Sequence, residues 1–150
     1  MKIYIANSTV SVYLLDIKEA DILAHTKTIQ AVKEEVMHLR NKELPVDEIK
    51  IEKSKIEDTP ELPYLSFVDR SLLETAKARN AVLITDDRKL ANAAKKNNVM
   101  VLNTPRFISE LAFDNFLSYE KAEQVLMDLK PLYIRVAIIE KVIKNLKNWR

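Results

Sequence analysis

The chain has 150 residues, of which 47% are hydrophobic and 31% are charged, a composition typical of a soluble globular protein. Its formal net charge of +2 permits a nucleic-acid partner but does not by itself argue for one. Cysteine is absent, which excludes disulfides, thiolate zinc sites and a cysteine nucleophile and is compatible with a cytoplasmic location. No run of about 18 apolar residues occurs, so we expect no membrane association.

Glycine is also absent. Positions that need a positive φ must then be filled by another residue type, and asparagine is the most tolerant of the remaining ones. Asn80 and Asn98 each follow a helical run and precede an apolar strand, so we predict that both end their helices in the left-handed conformation. The lack of glycine also excludes the glycine-rich phosphate loops of P-loop and Rossmann proteins.

The beginning of the chain predicts a strand followed by two helices. Residues 2–6 are predicted to form the strand, and residues 3–6 among them are apolar. The first helix is capped by a hydroxyl within residues 8–9 and runs towards Leu23. Apolar residues at helical spacing predict a second helix, which Thr28 caps and which ends near Asn41.

Prolines interrupt residues 45–63, where only a brief strand at 49–51 is predicted. The elements predicted beyond are a helix at 66–79, a strand at 81–85, a helix at 88–97, a strand at 99–102, a helix capped by Thr104, and helices at 118–130 and 131–148. This alternation predicts an α/β fold with a central parallel sheet, helices on both faces and extra C-terminal helices. We expect a single domain, with a core of about 1–103 and a helical part of about 104–150.

Polar side chains are predicted to converge at one edge of this sheet, where parallel α/β proteins bind ligands. The first strand ends at Asn7, and a later one ends at residues 85–87, Thr-Asp-Asp. Asp69 falls in the middle of the apolar arc of its helix, at about 100° from the start of that arc. In the second helix, Glu35 falls at the edge of the apolar arc, whereas Glu34 falls on the opposite side and should face water.

Each of these acids also has a structural interpretation. Asp69 is the third residue of a helix capped by Ser66 and can stabilise its first amides. Asp86 and Asp87 can cap the helix that follows them, and Glu35 can be a surface residue. Clustered carboxylates nevertheless repel one another, and hard oxygen ligands suit Mg²⁺ or Mn²⁺. Both helix capping and a divalent metal site therefore stay open.

Four segments of the chain resemble the PIN-domain family of metal-dependent endoribonucleases: IYIANST, VKEEV, LSFVDRSLLETA and LITDDRKL. The family pattern is a first strand ending in Asp-(Ser/Thr)-(Ser/Thr), then a helix with Val-x-x-Glu-(Ile/Val). A helix with Asp followed by Leu and Ala comes next, and then a strand ending in Thr-x-Asp. The resemblance implies a PIN-like three-layer fold and hydrolysis of RNA phosphodiester bonds with Mg²⁺ or Mn²⁺ as cofactor.

The resemblance also implies roles for individual residues. Carried over position by position, the catalytic and metal-binding residues are Asn7, Glu35, Asp69 and Asp87, with Asp86 as a further metal-binding neighbour. The metal would polarise the phosphate and lower the pKa of a bound water. The implied substrate-binding residues are Ser8, Thr85, Arg70, Arg88 and Lys89, of which the three cations are equally well explained as surface charges.

Asn7 departs from the family pattern, because it stands where the family has its first aspartate. Asparagine keeps the shape and a carbonyl oxygen but removes one negative charge from the implied metal site. The chain is then either an inactivated variant of a harmful enzyme or a natural member that binds RNA without cutting it. The sequence does not separate these two explanations.

Small one-domain members of the family are commonly VapC-type toxins, so the resemblance implies RNA, an antitoxin and a homodimer as partners. An rRNA-maturation endonuclease ranks second, because the cysteine-rich zinc ribbon usual in those enzymes is absent. Two readings come from other classes: a non-catalytic RNA-binding or scaffold protein, which Asn7 favours, and a receiver-like phospho-acceptor domain, whose expected lysine is not evident. The apolar run 136–139 with Val142 and Ile143 must be buried against this domain or a partner.

Overall fold

The computed structural model describes residues 2–49 and 65–149. The strands are β1 (Tyr4–Ala6), β2 (Lys27–Thr28), β3 (Asp47–Glu48), β4 (Val82–Ile84) and β5 (Val101–Leu102). The helices are α1 (Ser8–Asp16), α2 (Gln30–Arg40), α3 (Phe67–Ala78), α4 (Arg88–Lys96), α5 (Thr104–Phe113), α6 (Tyr119–Leu129) and α7 (Val136–Trp149). A 3₁₀ helix, Ala20–His25, lies between α1 and β2.

The strands form one parallel sheet in the order β3-β2-β1-β4-β5. The predicted α/β fold with a central parallel sheet is confirmed, and it is consistent with a three-layer PIN-like architecture. The chain winds outward from β1 to β3 and in the opposite direction from β4 to β5, so right-handed crossovers place α1 and α2 on one face and α3 and α4 on the other. The winding reverses between the adjacent strands β1 and β4, which is where such sheets form a ligand crevice.

The C-terminal helices α5, α6 and α7 pack against one another. The predicted apolar face of α7 is buried within this chain, since Ile139, Val142, Ile143 and Leu146 are all in the core. Its burial therefore requires no partner, and the homodimer stays a prediction. Across the described ranges, none of the helices is long and apolar enough to cross a membrane.

Asparagine fills left-handed positions as predicted. Asn80 and Asn98 have φ values of 51° and 59°, and Asn41 and Asn115 have 53° and 64°. Each of them follows a helix, where glycine is the usual residue. Asparagine residues can adopt the left-handed backbone conformation at a lower steric cost than most residues. A chain without glycine can therefore end its helices with asparagine.

The predicted extension of the first helix towards Leu23 is wrong, because α1 ends at Asp16. Lys18 adopts a φ of 60°. Its N–H donates to Leu15 O at 3.0 Å, and the N–H of Glu19 donates to Leu14 O at 2.8 Å. This pair of bonds is a Schellman motif, which closes the helix with a lysine in the glycine position.

The prediction that Thr28 caps the second helix is wrong, because Thr28 is a residue of β2. Its hydroxyl donates to the backbone oxygen of Ala6 at 2.7 Å, and Ile29 stands at the N-cap of α2 without a side-chain bond. The strand predicted at 49–51 lies mostly outside the described residues; β3 precedes it. Near the C-terminus, Asn103 rather than Thr104 caps α5, and the last helix begins at Val136 rather than at residue 131.

Candidate functional site

Asn7 follows β1 and is 3% exposed. Its Nδ2 donates to Thr85 Oγ1 at 2.6 Å. Its Oδ1 accepts from the N–H of Thr9 at 3.1 Å and from the hydroxyl of Thr9 at 2.6 Å. Asn7, rather than residues 8–9, is therefore the N-cap of α1. The ends of β1 and β4 meet at this side chain, as expected for neighbouring strands of a parallel sheet.

Glu35 on α2 faces the same edge of the sheet. The Ser8 hydroxyl donates to Glu35 Oε2 at 2.8 Å, and Glu35 is half-buried. Its neighbour Glu34 is exposed and accepts a hydrogen bond from Gln30 Nε2 at 3.1 Å. The helical geometry separated these two glutamates correctly, so the side chain of Glu35 points to the sheet edge while that of Glu34 points to water.

Asp69 is held by a capping interaction at the start of α3, where its N–H donates to Ser66 Oγ at 3.1 Å. Burial raises the pKa of Asp69, and the negative charges of Asp87 and Glu35 raise this pKa further, while the Ser66 hydrogen bond lowers it. Asp87 and Glu35 therefore lie within electrostatic range of Asp69, although the three residues are remote in sequence. α2, α3 and the turn before α4 thus direct three carboxylates into one region.

Asp87 has both of the roles that the sequence left open. Its Oδ1 accepts from the N–H of Lys89 at 2.9 Å, which makes Asp87 the N-cap of α4. Its own N–H donates to Thr85 Oγ1 at 3.1 Å, so Thr85 accepts from both Asp87 and Asn7. The charge of Asp87 also acts on Asp69, so the capping carboxylate belongs to the acidic region.

Asp86 points elsewhere. Its Oδ1 accepts from the N–H of Thr104 at 3.0 Å and from the hydroxyl of Tyr133 at 2.5 Å, and its Oδ2 accepts from the hydroxyl of Thr104 at 2.5 Å. Burial and the charge of Asp86 raise the pKa of Tyr133 well above its usual value. Both oxygens of Asp86 are therefore engaged in joining the end of β4 to the C-terminal helices, which favours a structural role over metal binding.

The donor chemistry of the region suits a hard divalent cation, since Glu35, Asp69 and Asp87 all offer carboxylate oxygens. Their spacing is looser than a finished metal site: within residues 2–49 and 65–149, no three Asp, Glu or His side chains are grouped closely enough to bind one ion. Asn7 stands beside them with its carbonyl oxygen already accepting two hydrogen bonds. The residues therefore fit a divalent cation in donor chemistry, with one charge fewer than the family pattern, while their spacing is wider than one ion requires.

The raised pKa of Asp69 predicts a pH-dependent effect on stability. An acid whose pKa is higher in the folded state than in the unfolded state binds protons more tightly when folded, so the free energy of unfolding falls as the pH rises through that interval. We expect Asp69→Asn to raise the free energy of unfolding at pH 7 by no more than about 1 kcal/mol, because water screens a half-exposed carboxylate. Urea unfolding at pH 7 and pH 3 checks this.

At pH 3 the aspartate is largely protonated in both states, so the two proteins should then be equally stable. An equal gain at both pH values would show that the change acts through packing rather than charge. A loss of stability at pH 7 would mean that the carboxylate is not in a repulsive environment.

A cleft of about 480 Å³ lies next to this site. The polar residues Ser8, Thr9, Asp86 and Asp87 line it, together with the apolar residues Val12, Leu132 and Ile134. Arg40 also lines the cleft, but its guanidinium is paired with Asp16, which accepts two hydrogen bonds from it at 2.8 Å and 3.0 Å. The cleft therefore combines acidic and apolar lining residues.

The three predicted phosphate-binding cations have different surroundings. Lys89 is exposed, and Arg70 is half-buried with its Nε buried and unpartnered among the described residues. Arg88 lines a second pocket of about 200 Å³, together with three cations that the sequence did not single out: Lys95, Arg106 and Arg135. Only the seven-residue spacing of Arg88 and Lys95 on one face of α4 was visible in the sequence.

No protein-family model matches the chain, and no curated protein or solved structure matches it significantly. The class that the structure defines is an α/β protein with a parallel sheet and an acidic region at the point where the winding reverses.

Proposed function

We propose that this protein is an endoribonuclease that depends on Mg²⁺ or Mn²⁺, of a toxin-like or RNA-processing kind, and that Asn7 impairs its activity. The observation that carries the proposal is the placement of carboxylates beside Asn7: Ser8 donates to Glu35, and Thr85 accepts from both Asn7 and the N–H of Asp87. The charges of Glu35 and Asp87 also raise the pKa of Asp69. The same positions match the acidic pattern of the PIN-domain family. An antitoxin and a second copy of the chain are partners that belong to the same proposal.

The chemistry follows from the charge of the site. The negative charges of Glu35 and Asp87, together with burial, raise the pKa of Asp69, and a bound divalent cation would offset the cost of ionising it. Glu35, Asp69 and Asp87 would hold the cation, which supplies a Lewis acid and a water of lowered pKa for phosphodiester hydrolysis. Ser8 fixes the carboxylate of Glu35 through its hydrogen bond. The apolar residues that line the cleft offer contact area to a nucleobase.

The test is cleavage of single-stranded RNA by Asn7→Asp with Mn²⁺ and with a chelator. In that background, Glu35→Gln is expected to lower the cleavage rate at least about 100-fold, which is the upper range for losing even an indirect metal partner. Glu34→Gln removes the same charge one residue away and should leave the rate unchanged, because Glu34 faces water. Equal losses in both variants would contradict the assignment of Glu35.

A second candidate function is RNA binding without catalysis. It is favoured by the hydrogen bonding of Asn7, whose Nδ2 joins the ends of β1 and β4 through Thr85 and whose Oδ1 caps α1 through Thr9. A protein that uses this position only for structure has no need of the family's aspartate. RNA binding by the chain without cleavage by Asn7→Asp would favour this function over the nuclease.

A further inference from the structure

Four cationic side chains surround the pocket of about 200 Å³ at the carboxyl edge of β4 and β5, which we call the basic pocket. Arg88 and Lys95 come from one face of α4, and Asn92 lies between them on that face. Arg106 comes from the first turn of α5, and Arg135 comes from the residue before α7. Three separate parts of the chain therefore direct positive charge into one concavity.

None of the ion pairs in the described part of the chain involves any of the four cations. Asp86 is the acid among the described lining residues. Its carboxylate accepts hydrogen bonds from Thr104 and Tyr133, and its backbone oxygen accepts one from Arg135 Nη2 at 3.3 Å. Four cations therefore share the pocket with one carboxylate. Like charges gathered in a chain whose net charge is only +2 repel one another, and an anion would relieve that repulsion.

The lining of the basic pocket indicates which anion it suits. Arginine, lysine and asparagine side chains are the usual donors to phosphate oxygens. No aromatic side chain is among the described lining residues, so a base has no ring on which to stack. The pocket is therefore suited to a phosphate rather than to a base.

A second cavity continues from the basic pocket. Asn103 and Arg106 line both the pocket and a groove of about 610 Å³ between α5 and α7, into which Lys141, Asn145 and Asn148 also project. Glu110 lines this groove as well, but it forms an ion pair with Lys2 at 3.2 Å. Phe113, Ile138 and Val142 line the groove too. The cations and amides that continue past Arg106 suit a polymer of phosphates better than a single nucleotide.

We propose that the basic pocket binds a backbone phosphate of a single-stranded RNA whose scissile nucleotide lies at the acidic region. The two sites adjoin, because Thr85 lines the basic pocket and accepts a hydrogen bond from Asn7, while Asp86 lines both the pocket and the cleft. This inference rests on the proposed function for the identity of the RNA as substrate. It assigns substrate binding to Lys95 and Arg106.

The experiment compares neighbouring lysines. Lys95 and Lys96 are both exposed and both lie in the last turn of α4, but only Lys95 lines the basic pocket. Binding of a labelled single-stranded RNA to the full chain is measured by fluorescence anisotropy with a chelator present, over a range of salt concentrations. Lys95→Gln with Arg106→Gln is expected to weaken binding about 10-fold or more and to reduce the slope of log K against log salt by about 1.4, or about 0.7 for each phosphate contact.

Lys96→Gln carries the same loss of charge as Lys95→Gln alone and should change the affinity less than about 2-fold, with the slope unaltered. Equal weakening by Lys95→Gln and Lys96→Gln would overturn the proposal in favour of diffuse attraction. Full competition by a mononucleotide would overturn it in favour of a small-molecule site, and a lack of RNA binding in all forms would overturn it outright.

The result is separable from the proposed function, because binding is measured without metal on the chain that carries Asn7. Cleavage by Asn7→Asp together with an unaltered affinity of the Lys95 and Arg106 variants would reject the pocket and keep the nuclease. The predicted loss of affinity without any cleavage by Asn7→Asp would keep the pocket and reject the nuclease.

Discussion

Asn7→Asp is expected to cleave single-stranded RNA in the presence of Mn²⁺ or Mg²⁺ at least about 100-fold faster than the chain with asparagine, a factor that loss of even an indirect metal partner can reach. The reason is charge. The three carboxylates of Glu35, Asp69 and Asp87 lie in one region, and a fourth at position 7 would complete the acidic set of the family pattern.

The hydrogen bonds around position 7 can accommodate the aspartate. Its carboxylate can keep the two bonds that Asn7 Oδ1 accepts from Thr9. The bond from Asn7 Nδ2 is lost, but the Thr85 hydroxyl can rotate to donate to the carboxylate while it still accepts from the N–H of Asp87. An acid at this N-cap also interacts favourably with the α1 dipole.

The cost of the fourth charge should appear when no metal is present. We expect Asn7→Asp with a chelator to unfold at a lower temperature than the unsubstituted chain at pH 7, because the added charge repels its acidic neighbours. Mn²⁺ should reverse the order, since a ligand at about 100 times its Kd adds about 2.7 kcal/mol to the folded state. Thermal unfolding of both proteins under both conditions measures this.

Two outcomes would count against the nuclease. If Mn²⁺ stabilises neither protein, the carboxylates do not form a cation site in solution. If Mn²⁺ stabilises Asn7→Asp but RNA stays intact, the site binds metal without catalysing hydrolysis, and the RNA-binding function is the better explanation.

The sequence predicted those features that depend on local rules. The helical phase separated Glu35 from Glu34, and the absence of glycine identified Asn80 and Asn98 as left-handed residues. The capping pair of Ser66 and Asp69 was equally visible, because its members are three residues apart. Each of these needs only neighbouring residues to be specified.

The features that the sequence did not predict depend on contacts between remote residues. Threonine is a common helix cap, but the hydroxyl of Thr28 donates to the backbone oxygen of Ala6 in the adjacent strand. Lys18 ends α1 in the left-handed conformation, which lysine rarely adopts, so residue preferences could not predict this helix end. The basic pocket draws on elements whose relative placement is known only after the sheet and the C-terminal helices have formed.

Asp86 is the clearest of these cases, and removing it is expected to have the largest effect on stability. Asp86→Ala leaves the N–H and hydroxyl of Thr104 and the hydroxyl of Tyr133 without their acceptor. Thr104 and Tyr133 are buried, at 0% and 4% exposure. Unsatisfied buried donors cost about 1–3 kcal/mol each, so we expect a total loss of about 3–5 kcal/mol after partial rehydration.

The neighbouring acid provides the control. Asp87→Ala removes the N-cap of α4 and should cost about 1 kcal/mol, less whatever is regained by relieving the repulsion of Asp69. The free energies of unfolding of the two variants, measured in urea, should therefore differ by several kcal/mol. In the Asn7→Asp background, loss of Asp87 should abolish metal binding while the chain stays folded, and loss of Asp86 should not. Equal costs for the two variants would contradict the structural assignment of Asp86. Adjacent carboxylates that differ in this way would show that one holds the C-terminal helices to the sheet, whereas the other belongs to the acidic region.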